Sequence, residues 1–438
     1  MTPFEIGLTS FGGMVLLVYL GFWVPFSLMF SSFVGVWAIK GSPLLAGKLL
    51  ALAASETISS YFFGVVPLFV LMGYLVSVTG MGSDAFDVAN HLFRKMKGGL
   101  GIGTVGANAI FAAITGISIA SAAVFTRIAV PEMIKHGYTK RFSVGVVAGS
   151  SVLGMLIPPS LLLILYCLLT EQSVGDLFIA GILPGLLLAL IFAIGIFLIA
   201  IFWPKFIGIN IGHKNIETNL ISRSTLFSKG SPIFVLITIV IGGIYGGFFT
   251  PIEAGAVGCA GAIVIGVLRK KLTVKDFWQV LSDTGLITAA ISFLIISAQM
   301  YSRMLALSGV PAEFGNFVVN FDIGYWGIIL TYVGLVILMG TILDSSSIML
   351  ILVPLMLPVL ISMNVDLIWF GIVTIIAVEI GLLTPPLGIS VFVIKSALDD
   401  PSITLGDIFI GAAPFALMML VVLALVLIFP MIATILIY

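Results

Sequence analysis

The sequence predicts an all-α, polytopic membrane protein, and three observations lead there. Only 9% of its 438 residues are charged and 60% are hydrophobic, against about 25% charged in an ordinary soluble domain. Mean hydropathy is +1.27. Apolar runs of about 20 residues, the length that crosses a bilayer as a helix, recur along the whole chain. A soluble enzyme of this size needs a polar coat that 19 basic and 19 acidic side chains cannot supply, and disorder requires low hydrophobicity. Net charge is zero and no basic patch exceeds a few residues, so nucleic-acid binding gains little support. Cys167 and Cys259 both lie in apolar runs, which argues against a disulfide framework and leaves too few ligands for a metal cluster.

In chain order the apolar runs fall near 5–20, 24–39, 62–80, 142–170, 177–203, 231–247, 252–268, 285–305, 367–395 and 408–436, about ten spans. The first is read as a retained helix, because Glu5 stands where a cleavable signal would carry its basic region. Segments 44–58 and 273–283 are too short or too polar to span and fit helices lying in the interface. Regions 100–126 and 326–361 are apolar but interrupted near their middle by Gly, Ser, Thr, Pro or Asp. Each returns the chain to the side it left, as two short spans or as a re-entrant hairpin. The polar stretch 204–230 reads as a linker between two halves, 1–203 and 231–438.

Sidedness follows from Lys and Arg in the short loops. Arg94, Lys95 and Lys97 form one cluster; Arg127, Lys135, Lys140 and Arg141 a second; Lys205, Lys214, Arg223 and Lys229 a third; Arg269, Lys270, Lys271 and Lys275 a fourth. Placing all four in the cytoplasm gives a self-consistent path with both termini outside. Loops 41–60, 171–176, 306–325 and 362–366 then face outward. Loop 396–407 is cytoplasmic by parity although it carries Asp399, Asp400 and Asp407.

The two halves resemble each other. Gly154-Met-Leu-Ile-Pro158-Pro159-Ser160 matches Gly381-Leu-Leu-Thr-Pro385-Pro386-Leu387 at an offset of 227, and Pro131 falls on Pro358 at the same offset. Gly21-Phe-Trp-Val-Pro25 matches Gly247-Phe-Phe-Thr-Pro251 at 226, and Thr79-Gly80-Met81 matches Ser308-Gly309-Val310 at 229. Residue 24 starts inside and residue 252 outside, so the repeats are inverted. Inverted repeats with broken helices mark secondary transporters, whose sites lie near the midplane between the halves.

Each proline pair removes two backbone donors inside a span. The freed carbonyls need partners in a protein-lined cavity, since lipid offers none. With nearby hydroxyls they suit a hard cation such as Na⁺; a kink that only shapes the bundle is the competing reading. If Thr115–Ser121 and Thr341–Ser347 are hairpin tips, helices begin there and present free N–H groups and positive dipole ends to an anion. Asp344 is a cation ligand or an N-cap, an intramembrane carboxylate being functional by default. Arg303 either anchors an acid group through its planar fork or snorkels to the interface. Glu379 precedes the second proline pair and orders that loop, while Glu253, after Pro251, reads as a first-turn cap. Gly101-Ile-Gly103-Thr-Val-Gly106 fits GxGxxG without a βαβ unit, so it reads as helix packing. Gly145/Gly149, Gly181/Gly185 and Gly243/Gly247 read likewise as helix contacts. There is no Walker A sequence, and His91, His136 and His213 fall in loops.

Gly243-Ile-Tyr-Gly-Gly-Phe-Phe-Thr-Pro251-Ile-Glu253-Ala, Leu153-Gly-Met-Leu-Ile-Pro-Pro-Ser160, Ile342-Leu-Asp344-Ser, Glu379-Ile-Gly-Leu-Leu-Thr-Pro-Pro-Leu-Gly388 and Pro67-Leu-Phe-Val-Leu-Met-Gly73-Tyr together resemble the large membrane subunit of tripartite ATP-independent periplasmic (TRAP) transporters. The resemblance covers essentially the whole chain. It implies an elevator transporter of the bacterial inner membrane, with a scaffold and a mobile transport domain and no enzymatic activity. It implies import of an organic acid delivered by a periplasmic binding protein, a separate small four-helix membrane subunit, and Na⁺ as coupling ion with no other cofactor. Na⁺ would bind between each tip and its proline-broken helix, with Thr115, Gly116, Ser118, Gly154 and Ile157 on one side and Thr341, Asp344, Ser345, Gly381 and Thr384 on the other. The substrate would lie between the tips, with Ser118, Ser121, Pro158, Pro159, Arg303, Ser345, Ser346, Pro385 and Pro386 around it. One departure is Ile117, where the family pattern has a second small polar residue; it throws ligation at the first tip onto backbone carbonyls. Two alternatives remain on the residues alone. One is a stand-alone divalent-anion/Na⁺ symporter that needs no binding protein. The other is an intramembrane hydrolase, for which the sequence offers only Asp344 at depth.

Overall fold

The computed structural model describes residues 1–59, 61–208, 222–310, 313, 324–386, 388–398 and 400–438, and all regular structure among them is helical. The first half contains α1 (Pro3–Tyr19), α2 (Val24–Lys40), α3 (Pro43–Ser59), α4 (Val65–Val78), α5 (Met81–Phe93), α6 (Gly99–Thr115), α7 (Ser118–Lys135), α8 (Lys140–Ser151), α9 (Leu153–Leu156), α10 (Leu161–Thr170), α11 (Val174–Phe202) and the single turn α12 (Pro204–Ile207). The second contains α13 (Arg223–Tyr245), α14 (Pro251–Leu268), α15 (Val274–Ser308), α16 (Tyr325–Gly340), α17 (Ser345–Ser362), α18 (Leu367–Leu383), α19 (Ile389–Ala397), α20 (Leu405–Ile428) and α21 (Met431–Thr434).

Among the described residues six helices are long and apolar enough to cross a membrane, or eight if the bent pairs α4–α5 and α8/α9–α10 each count as one span. Helices α1, α2, α6, α16 and α18 are apolar but shorter than the 18 residues such a span needs. The 29-residue α11 shows what the outside faces. On α11, Leu183, Leu186, Leu190, Ile194 and Leu198 are exposed at helical spacing, while Leu188, Phe192, Ile196 and Ile199 are buried. A leucine stripe left uncovered on one face is what hydrocarbon, not water, accepts.

Three elements depart from the sequence expectation. Residues 273–283 do not form a separate interfacial helix but open the 35-residue α15. Thr273 and Asp276 form its capping box, and the one breaker near the junction, Gly285, costs only about 1 kcal/mol in a helix interior. Helix α5 was not foreseen; it turns away from α4 by 68° at Gly80, whose φ of +75° suits glycine, and buries Met81, Ala85, Phe86 and Ala89. The segment expected as a linker is helical from Arg223 onward, capped by Ser222 Oγ on Thr225 N; residues 209–221 lie outside the described residues. Glu253 completes a capping box with Thr250, as its position after Pro251 led us to expect.

The helices pack in two sets, joined where α5 and α4 lie against α6 and where α15 lies against α17. In one, α2 packs on α1, α3 and α15, and α4 packs on α14 and α15, with α5 against α13. In the other, α6 and α7 pack on α8, α16 packs on α18, and α8 and α18 both pack on α20. The second group interleaves the halves, since α7 packs on α19 and α10 on α17. Its closest approach is between α8 and α20, where a Cβ on Gly145 would run into Gly411 backbone and one on Gly411 into Arg141 backbone. Ion pairs join the same elements: Lys140 Nζ lies 2.7 Å from Asp400 and Arg141 Nε 2.6 Å from Asp407. Asp400 and Asp407 of loop 396–407 thus sit against the second basic cluster, while Asp399 lies outside the described residues. Lys229 and Arg269, from the third and fourth clusters, converge on the buried Asp84 of α5.

Candidate functional site: two helix tips around one cavity

Helix α6 stops at Thr115 because Gly116 adopts the left-handed conformation, φ +64°. Ile117 is extended, and α7 starts at Ser118 with no side-chain cap. This first tip is pressed into the break that follows α9. Leu161 N donates to Gly116 O at 3.0 Å. A Cβ on Gly116 would run into Pro159 O, and one on Gly154 would lie 3.1 Å from Ile117 C and Ser118 N. Pro158 and Pro159 have no amide hydrogen, so Gly154 O and Met155 O lack their helical donors; Ser160 Oγ donates to Met155 O at 2.5 Å.

The second tip is built differently. Asp344 caps α17: its Oδ2 accepts from Ser346 N and Ser347 N at 3.1 and 3.2 Å, and its Oδ1 accepts from the Ser347 hydroxyl. Gly340 and Gly381 meet backbone to backbone, a Cβ on Gly340 falling 2.7 Å from Gly381 Cα. Ser345 Oγ donates to Glu379 Oε1 at 3.2 Å. Glu379 is 1% exposed and its Oε2 has no partner. Thr384 N donates to Gly381 O at 2.9 Å, and Leu382 O loses its helical donor at Pro386. The first tip therefore offers neutral oxygens and uncapped amides. The second holds two carboxylates, with no basic side chain within 4.0 Å of either among the described residues.

A cavity of about 470 Å³ lies between the tips, within the range of small-molecule sites. Helix α7 lines it from Ile117 to Ala120 and through Ala123, Val124 and Arg127; the second tip contributes Asp344, Ser345 and Ser346. Met155, Leu161, Leu382, Ile389 and Ser390 come from the two broken helices, and Tyr74, Ser77, Ile287 and Ile291 from α4 and α15. The cavity thus sits at the boundary between the two helix groups.

Of the residues expected around a substrate, Ser118, Ser345 and Ser346 line this cavity. Ser121 does not; it is buried and donates to Asn108 Oδ1, while Asn108 Nδ2 donates to Ser150 Oγ at 2.7 Å, which ties α7, α6 and α8 together. Pro158 and Pro159 are buried behind the first tip, Pro385 and Pro386 are exposed, and none of the four lines the cavity. Arg303 is also placed elsewhere: α15 packs along α3, and the guanidinium pairs there with Glu56. The ten residues expected around Na⁺ fall into the two tip-and-break clusters, Thr115, Gly116, Ser118, Gly154 and Ile157 at the first and Thr341, Asp344, Ser345, Gly381 and Thr384 at the second. The N-cap alternative for Asp344 is the role the geometry displays. Sequence reasoning missed Arg127 as a cavity residue and left Glu379 as a loop organiser. Both carried a signal. Arg127 is spaced i+7 from Ala120 at the tip, and Glu379 is a carboxylate deep in an apolar span.

Two helix tips, each seated against a proline-broken helix of an all-helical membrane bundle, make the arrangement that the resemblance to membrane transporters led us to expect. The description "Tripartite ATP-independent periplasmic transporter, DctM component" matches residues 11–432. The chain is 32% identical over 382 residues to the C4-dicarboxylate TRAP transporter large permease of Pseudomonas aeruginosa, covering 86% of this chain and 87% of that one. It is 30% identical to the sialic acid TRAP transporter large permease of Vibrio cholerae, covering 96% of each. Among solved structures, the YdaH transporter of Alcanivorax borkumensis shares the fold, with a TM-score of 0.59 at 14% identity over 87% of this chain and 88% of that one. The chain belongs to the TRAP transporter family, as its large permease subunit.

Proposed function

We propose that this permease imports a small organic acid together with Na⁺, by an elevator movement, after a periplasmic binding protein has delivered the acid. The observation that carries the reading is the seating of each tip in its own proline-broken helix, with one cavity between them. Na⁺ would be held at each junction by hydroxyls and by carbonyls freed at the prolines, with Asp344 adding charge at the second. The uncapped start of α7 would face an acid group of the substrate. Helices α1–α5 and α13–α15 would form the scaffold, and α6–α11 with α16–α20 the moving body; the cavity lies at their boundary, and the packing of α5 on α6 would have to slide or part in the movement.

The helix starts support a repeat: 99 and 325, 118 and 345, 140 and 367, 161 and 389 differ by 226 to 228 residues. With the basic clusters in the cytoplasm, the repeats are inverted and both termini are periplasmic, in the inner membrane. The partners are a small four-helix membrane subunit, the binding protein and the bilayer. The names of the relatives bring C4-dicarboxylates and sialic acid forward as substrates. One charge moving inward through 100 mV yields about 2.3 kcal/mol, enough to make coupling effective. Co-reconstitution of the large and small subunits with the binding protein tests the reading. Uptake should rise with an inward Na⁺ gradient and collapse when choline replaces Na⁺; uptake indifferent to that exchange overturns the coupling.

A further inference from the structure

We propose that the aromatic turns at 21–23 and 247–249 are matched lipid anchors, one in each leaflet, seated where headgroups meet acyl chains. The proposal rests on the inverted orientation of the repeats given above and does not depend on Na⁺ or on the cargo. The two turns close alike. Gly21 and Gly247 adopt φ of +89° and +70°. Phe22 N donates to Leu17 O at 3.1 Å and Phe248 N to Gly243 O at 2.9 Å, the longer bond of a glycine-ended helix. Each turn then opens a helix with proline in its first turn, α2 and α14. This shared geometry turns rings outward: Phe22 is 58% exposed, Trp23 76% and Phe248 79%. Phe249 instead packs over Gly243.

Three observations point to lipid as the occupant. Residues 6–39 and 230–252 carry no charge, so no Lys or Arg fixes the depth of either turn. Helices α1 and α2 have 17 residues each and α14 has 18, about 26–27 Å at 1.5 Å per residue. That is slightly short of the hydrocarbon core of about 30 Å, so the turns stay near its edge. Finally, uncovered apolar stripes run on from the turns. Trp23 continues into exposed Phe26, Phe30, Val34 and Trp37 along α2, and exposed Val264, Val267 and Leu268 lead down α14 to Arg269. With Arg269, Lys270 and Lys271 in the cytoplasm, α14 places Phe248 at the periplasmic boundary, and Trp23 lies at the cytoplasmic one. Exposed rings are poorly placed in water, and an indole N–H lacks a partner in hydrocarbon; the headgroup layer accepts both. At the first turn Leu20, Gly21, Phe22, Trp23 and Phe26 line a shallow hollow of about 410 Å³, where an acyl chain can lie. Held at both boundaries, the scaffold keeps its level while the other body moves.

The test places the complex of large and small subunits in vesicles of lipid brominated either near the headgroup or near the acyl terminus. Trp23 fluorescence is the difference between the unsubstituted protein and Trp23→Phe; that of position 248 is the gain in Phe248→Trp. Both signals should be quenched at least about twofold more by the shallow bromine than by the deep one. Equal quenching, stronger quenching by the deep bromine, or none by either overturns the anchors; in the last case water or another chain covers the turns. Leu20→Cys and Phe248→Cys, each combined with Cys167→Ala and Cys259→Ala, should react with an impermeant maleimide from the cytoplasmic and the periplasmic face respectively. Reaction of both from one face overturns the inversion, and with it the pairing across two leaflets, whatever the quenching.

Discussion

Asp344 serves two purposes with one carboxylate. Its oxygens cap α17 through Ser346 N and Ser347 N, and the proposed cation would draw on the same group. Asparagine caps nearly as well as aspartate, whereas alanine loses about 1 kcal/mol. Asp344→Asn should therefore melt close to the unsubstituted protein but lose the stabilisation that Na⁺ gives at constant ionic strength, and Asp344→Ala should lose both. Thermal melts with Na⁺ and with choline separate the two effects. Glu379 presents the opposite balance. A buried carboxylate oxygen without a partner costs stability, so its retention points to function. Glu379→Gln should melt at the same temperature or higher, while uptake falls at least about tenfold; unchanged uptake would return Glu379 to a packing role. Outside the membrane, hydrogen bonding from Lys140, and then from Ser402, holds the Asp400 carboxyl well below its usual range. A depressed value adds stability above the unfolded-state value, about 3.9, that is lost as pH falls through the folded one. Asp400→Asn should thus melt lower than the unsubstituted protein at neutral pH, and the gap should close below about pH 4.

Elements were legible in the sequence where chemistry forces the backbone. Two prolines in a row can only end a helix, so the breaks at 158–159 and 385–386 and the helices around them stood out. Gly116 and Asp344 marked the tips for the same reason. Elements set by tertiary neighbours were not legible. Helix α5 carries Asp84 and Asp87 in a short amphipathic stretch, and it is held by Lys229 and Arg269, which arrive from 142 or more residues away. The continuity of α15 likewise depends on α2, α3 and α4 packing along it. The contact of α8 with α20 rests on Gly145 and Gly149, read from the sequence as packing residues, and on Gly411, which was not. Gly145→Val should force the two backbones apart and destabilise by about 1–3 kcal/mol or more, read as a lower melting temperature. Gly13→Val, with open space around its Cβ position, should leave it nearly unchanged.

At the scale of the whole molecule, the sequence identified two tips and two breaks but not what lies between them. Residues that line the cavity come from α4, α7, α15, α17 and both broken helices, and no periodicity within one segment announces that convergence. Arg303 drew attention as a rare charge in an apolar run, yet its partner is Glu56 of α3. Arg127 was absorbed into a basic cluster, yet it faces the cavity. If the cavity is the compartment that moves, its walls must meet water on one side and then on the other. A single cysteine at Ala123, with Cys167 and Cys259 replaced by alanine, can be labelled by an impermeant maleimide applied to either face of sealed membranes. The elevator reading predicts labelling from the periplasmic face under one condition of Na⁺ and substrate and from the cytoplasmic face under another. Labelling from one face only, whatever the Na⁺ or substrate, would contradict it.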